Sequence, residues 1–146
     1  MVAALQDVFD LRNDVIFQAA TALAGGGGRA IDGSCGAYTG AILFFGSIVG
    51  RERNDFKDEA KVRLQTHDLA KKLHDKFIQE YGSVVCQNIQ TKLMGRSYYF
   101  IDPDEYKKFL DAGAHDIYCA DVVGKAAKWA AEILLEAKLV KEPESE

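Results

Sequence analysis

Three cysteines, Cys35, Cys86 and Cys119, are the residues of this chain best suited to chemistry. Each follows, at an interval of three, a residue that favours the N-cap of a helix: Asp32, Ser83 and Asp116. A cysteine in the first turn of a helix lies beside unpaired backbone N–H groups and the positive end of the helix dipole, which stabilise a thiolate. Asn13 stands in the same relation to Ile16, without the sulfur. The spacing therefore predicts helix starts that aim two or three thiolates at one point, where they would hold a metal ion or an iron–sulfur cluster or work as reversible thiols. The plain alternative is three small apolar residues packed in the core. There is no Cys-x-x-Cys motif, and the separations between the cysteines fit no zinc pattern.

His115 lies four residues before Cys119, so it is a candidate fourth metal ligand or proton partner as well as a capping or surface residue. His67 and His74, seven apart on one helix, would be about 10 Å apart along its axis, too far to share an ion; their charged neighbours read as a solvated face. No Ser-His-Asp order or metalloprotease motif is present.

Gly36 and Gly40 are four apart, directly after the first cysteine. Small residues at that spacing clear a groove for a second helix or a cofactor. A glycine inside a helix costs about 1 kcal/mol relative to alanine, so both are candidate cofactor-binding positions, with tight helix packing as the simpler account. The run Gly25-Gly26-Gly27-Gly28 followed by Arg29 lacks the phosphate-binding pattern, and Asp32 would repel an anion.

The elements that must position these residues read as helices. The chain has 146 residues, 48% hydrophobic and 27% charged, with a net charge of −4. That predicts one soluble helical domain over residues 1–146 with no basic footprint for nucleic acid and no polybasic patch for a membrane. An odd cysteine count and an acidic N-terminal stretch without a signal peptide predict a reducing, cytoplasmic location. The uncharged run from Gly33 to Gly50 reads as a central core helix rather than a membrane span.

Helical spacing dominates, so the expected fold is all-α, a compact bundle of about six helices around the glycine-rich one. The expected helices cover Val2 to Leu11, Asn13 to Leu23, Gly33 to Val49, Phe56 to Tyr81, a stretch capped by Ser83 and stopped by Gly95, a short one opened by Asp102-Pro103, and Ile117 to Val140. Ser97 to Asp102 reads as a short extended piece, and Lys141 to Glu146 as a frayed tail.

With these residues in view, the chain resembles the C_GCAxxG_C_C family of bacterial and archaeal redox-active proteins. Cys35-Gly36-Ala37-Tyr38-Thr39-Gly40 matches its central motif, and Cys86 and Cys119 match its later cysteines in order and rough spacing. The resemblance runs from about Val15 to Leu135. It departs at one point: the family's first cysteine would fall near Ile16, before Phe17-Gln18-Ala19, and is absent. Four cysteine ligands, or two disulfide pairs, are therefore not to be had from one chain. A three-cysteine site completed by His115, a carboxylate, water or a second chain stays open. Similar domains occur in split-Soret cytochromes, so the resemblance implies an iron–sulfur cluster as one candidate cofactor beside another metal ion, while no haem-attachment motif is present. It implies a redox or electron-transfer role with an unidentified redox partner. The other class of function is a helical binding or assembly module, including a homodimer, in which the cysteines are structural.

Overall fold

The computed structural model describes residues 1–142, so part of the tail expected from Lys141 lies outside the described residues. Among the described residues the fold is all-α: α1 (Val2–Val8), α2 (Asp14–Ala19), α3 (Gly36–Val49), α4 (Val62–Tyr81), α5 (Cys86–Met94), α6 (Pro103–Asp111) and α7 (Ala120–Glu136). Short 3-10 turns cover Thr21–Leu23 and Arg53–Asp55, and a π-helical turn over Ala114–Cys119 runs straight into α7. No helix among the described residues is long and apolar enough to cross a membrane.

The centre is a three-helix unit of α3, α4 and α7, as the apolar spacing requires. Ala41, Phe44 and Phe45 of α3 meet Leu69, Leu73 and Phe77 of α4 and Ala126, Ala130 and Leu134 of α7. The alanines of α7 let its backbone come close, and the phenylalanines of α3 fill the space this leaves. Tyr38 and Trp129 meet Phe77 edge-on and Tyr81 meets it at a tilt, with ring centroids 5.4–5.6 Å from it. A second, smaller apolar cluster gathers Ile31, Cys86, Tyr98, Phe100, Phe109 and Ala114.

Some boundaries differ from the expected ones. The fourth long helix begins at Val62 rather than Phe56 because Asp58 folds back over its start. The Asp58 carboxylate, 1% exposed, accepts from the Val62 and Arg63 backbone amides at 2.7 and 3.2 Å and from the Arg63 guanidinium at 2.6 Å. Those bonds satisfy helix-end amides that have no partner within the helix. Residues 97–102 form no strand; they are an irregular link that buries Tyr98 and Phe100 in the second cluster. The last α-helix starts at Ala120 rather than Ile117, because a π-helical turn occupies Ala114–Cys119, and it ends at Glu136 rather than Val140.

Two expected caps are present. The Asn13 side chain accepts from the Ile16 amide at 3.1 Å, and Asp102 accepts from the Asp104 and Glu105 amides with Pro103 at the first helical position.

Candidate functional site

The three cysteines are brought together by long-range pairing rather than by their own caps. Residues 33–35 lie antiparallel to 84–86: the Cys35 amide donates to the Val84 carbonyl at 2.8 Å and the Cys86 amide to the Gly33 carbonyl at 2.9 Å, either side of the Ser34–Val85 bridge. This pairing holds both segments extended up to the cysteines. Cys35 is therefore the N-cap of α3, and Cys86 is the first residue of α5 with Val85 as N-cap. Neither occupies the third helical position, and neither Asp32 nor Ser83 is the cap. The Ser83 hydroxyl instead accepts from the Val85 amide and from the Asn88 side chain, both at 3.0 Å. Cys119 is the last residue of the π-helical turn and the residue directly before α7, with helical φ and ψ, so the backbone runs through it without a break, and Asp116 caps neither element.

All three thiols line one cavity of about 670 Å³ between the central unit and the second cluster. Cys35 packs against the first apolar cluster; Cys86 and Cys119 belong to the second. No disulfide joins them.

The electrostatics run against the expected thiolates. Burial pushes the Cys35 thiol up, and the backbone amides of Ala37 and Tyr38 only partly offset it. Burial also raises Cys86, while the Gln90 side chain and its hydrogen bond work in the opposite direction. Cys119 is pushed up to about 11 by burial and by the other two sulfurs. A helix terminus lowers a thiol pKa where water can reach it, but here desolvation of the charged form wins.

Gln90 is a site residue that the sequence reading missed. It is buried, its Nε2 donates to Cys86 Sγ at 3.4 Å, and its Oε1 accepts from the Tyr98 amide at 2.9 Å. The available signal was a polar residue four positions after Cys86, next to Ile89 on a face that must be buried.

Gly36 and Gly40 both line the cavity, and each also marks a close approach. A Cβ on Gly36 would stand 3.0 Å from Ala24 Cα and 3.1 Å from the Leu23 carbonyl oxygen; one on Gly40 would meet Met1 Cγ at 3.2 Å. Ahead of the motif, Ile31 is held at φ 63°, a conformation a β-branched residue rarely adopts, by bonds from its amide to the Gly25 carbonyl and from the Gln87 amide to its own carbonyl. Strain of this kind persists only where the surroundings over-determine it.

His115 sits at the cavity rim, exposed, with Nδ1 3.4 Å from the Asp116 carboxylate. His67 is exposed, while His74 is half-buried with its ring edge-on to Tyr38. Among the described residues no group of three or more His, Cys, Asp or Glu side chains is placed to hold one metal ion. The donors Cys35, Cys86, Cys119 and His115 thus line one space without converging, and as they stand they do not fit a bound ion or an iron–sulfur cluster. Ile16, near which the family's first cysteine would fall, is half-buried on α2 and does not line the cavity, whereas its neighbour Phe17 does.

The match to known proteins rests on this same stretch. No curated protein and no solved structure matches the chain. Residues 1–133 match the family described as "Putative redox-active protein (C_GCAxxG_C_C)", and the span takes in all three cysteines and the motif between Cys35 and Gly40. The chain belongs to the C_GCAxxG_C_C family.

Proposed function

We propose that this chain is a thiol redox protein of the cytoplasm, working as one helical domain, in which Cys35, Cys86 and Cys119 exchange with a disulfide-bearing partner. The observation that carries the reading is that all three thiols face one cavity although they come from distant parts of the sequence. Cys35 is the attacking group. It is partly buried, whereas Cys86 is buried, and it is the cysteine whose sulfur backbone amides favour as a thiolate. Its proton goes to water, the sulfur attacks the partner's disulfide, and the leaving sulfur takes up a proton. Cys86 then attacks the mixed disulfide, its own proton leaving as the partner's second thiol is released. The partner gains two electrons and two protons, and Cys35 and Cys86 lose them. Cys119 is the third thiol within reach of the exchange.

The bridge supports this assignment. Cys35 and Cys86 are diagonal neighbours across an antiparallel pair, a relation that sets Cα atoms about 7–8 Å apart. A disulfide spans up to about 6.8 Å, so closing one asks for a shift of about 1 Å.

A second reading is favoured by the raised pKa of every thiol, the direction expected of inert cysteines. In it the chain is a helical binding or assembly module, and the apolar side chains that α2 leaves in solvent, Val15 at 72% and Phe17 at 53% exposure, are contacts for a partner or a second copy.

Intact mass and peptide mapping across a thiol/disulfide redox titration, on protein purified without oxygen, separate the two. The redox reading expects one reversible Cys35–Cys86 disulfide that is lost in Cys35→Ser and Cys86→Ser. Three thiols that stay reduced at every potential would establish the structural reading. Stoichiometric iron with acid-labile sulfide in the same sample would overturn both in favour of a cluster.

A further inference from the structure

The cavity has a charge pattern unlike the rest of the molecule. The chain carries 22 acidic residues and a net charge of −4. Yet no aspartate or glutamate is among the residues that line the cavity, and its charged or titratable nitrogen-bearing side chains are Arg29 and His115. The rest of the wall is mostly apolar, supplied by residues such as Phe17, Leu93, Phe109 and Val122, with Thr21, Gln90 and Tyr118 as uncharged polar members. The volume, about 670 Å³, is that of a small-molecule site.

Arg29 is held in place. Its Nη2 donates to the Phe100 carbonyl at 2.5 Å, and the guanidinium lies over the Tyr106 ring, 4.5 Å from the centroid. Among the described residues no carboxylate lies within ion-pair distance of it. A guanidinium has five N–H donors arranged to grip a carboxylate at two points, and the Phe100 carbonyl takes up only part of them. The cation is solvent-exposed yet oriented, unpaired with acid, and set at the edge of a largely apolar space.

We propose that the cavity binds a carboxylate with an apolar body, the carboxylate on Arg29 and the body along the wall that carries the thiols. The assignment does not depend on the thiols being redox-active. A ligand so placed would cover Cys35 and Cys119 from solvent.

The test is calorimetric titration of the full chain with three probes of matched length: decanoate, decanol and decyltrimethylammonium, with 2-naphthoate to separate aliphatic from aromatic bodies. At least one carboxylate is expected to bind saturably and about tenfold tighter than both decanol and the cation, the difference that one charge-assisted contact gives. Arg29→Gln should remove that tenfold preference and leave decanol binding unchanged. Bound carboxylate should slow N-ethylmaleimide labelling of Cys35 and Cys119, which places it in this cavity. Ala20→Trp, on the cavity wall beside a helix that contributes no buried side chain, should abolish binding; if that variant does not fold, Arg29→Gln and the labelling decide. Carboxylates that fail to bind, bind no better than decanol, or keep their preference in Arg29→Gln would overturn the proposal. None of these outcomes bears on whether Cys35 and Cys86 form a disulfide.

Discussion

The Gln90 side chain ties the Cys86 thiol to the Tyr98 backbone, donating to the sulfur at 3.4 Å and accepting from the amide at 2.9 Å. One buried amide thus orients a thiol and anchors the link between α5 and α6. Gln90→Leu removes both bonds and leaves the Tyr98 amide buried without an acceptor, which should cost about 1–3 kcal/mol in chemical denaturation. It should also raise the Cys86 pKa further, since the lost bond lowers it. The alkylation profile of Cys86 would then move to higher pH, and a profile that stays in place would show that the bond does not hold the sulfur.

The thiols set an alkaline limit on stability. Burial raises the pKa of Cys119 to about 11, from an ordinary value near 9, and raises Cys35 and Cys86 in the same direction. A group whose pKa is higher in the folded state keeps its full contribution below its unfolded pKa and loses it as pH rises toward the folded value. Stability should therefore fall between about pH 9 and pH 11. Tyr81, pushed up to about 12 by burial, extends the decline. Cys119→Ala should flatten the first part of the slope in denaturation curves taken across this range. An unchanged slope would place the loss elsewhere.

Asp58 gives the opposite limit. Burial alone would raise its carboxyl pKa, but the Arg63 guanidinium and the Val62 and Arg63 amides outweigh it and hold the group below the usual carboxylate range. Its contribution is present above the ordinary carboxylate pKa and is lost as pH falls through the depressed one. Asp58→Asn should be less stable than the parent at pH 7, and the two should converge as the pH is taken down toward the folded-state pKa. A constant gap at all pH values would show that shape, not charge, matters at this position.

Two glycines make a controlled pair. Gly36→Ala forces the Leu23–Ala24 backbone to move and should cost about 1–3 kcal/mol. Gly124→Ala, inside α7 with nothing within 4 Å of the added Cβ, should gain about 1 kcal/mol. Thermal melts of the two single variants give the comparison. Similar effects at both positions would remove the case for a close approach at Gly36.

The contrast explains what the sequence made readable. Local rules located the helices and the caps at Asn13 and Asp102, because such caps depend on residues two or three apart. They located the stripe of α7 and the central place of α3 for the same reason. They misplaced the caps before Cys35 and Cys86, because the residues ahead of those cysteines pair with each other across the fold, and no local pattern encodes that pairing. The same short-range logic predicted low-pKa thiols. It missed that the surroundings of each sulfur are assembled from several elements and are mostly apolar. Asp116, three residues before Cys119, reads as a helix cap because a π-helical turn has no spacing signal distinct from an α-helix. Gln90 had a signal in its position after Cys86, but a polar residue in an amphipathic helix is ordinarily read as solvent-facing.

The antiparallel contact between residues 33–35 and 84–86 also sets an order of assembly. When α3 leaves the ribosome its cysteine has no counterpart, and the wall around it is open. The contact forms only once α5 has been made, and Cys119, Val122 and Val123 complete the cavity later still. During synthesis Cys35 therefore waits for α5 to meet Cys86, and Cys119 joins the two last, when the start of α7 closes the cavity wall.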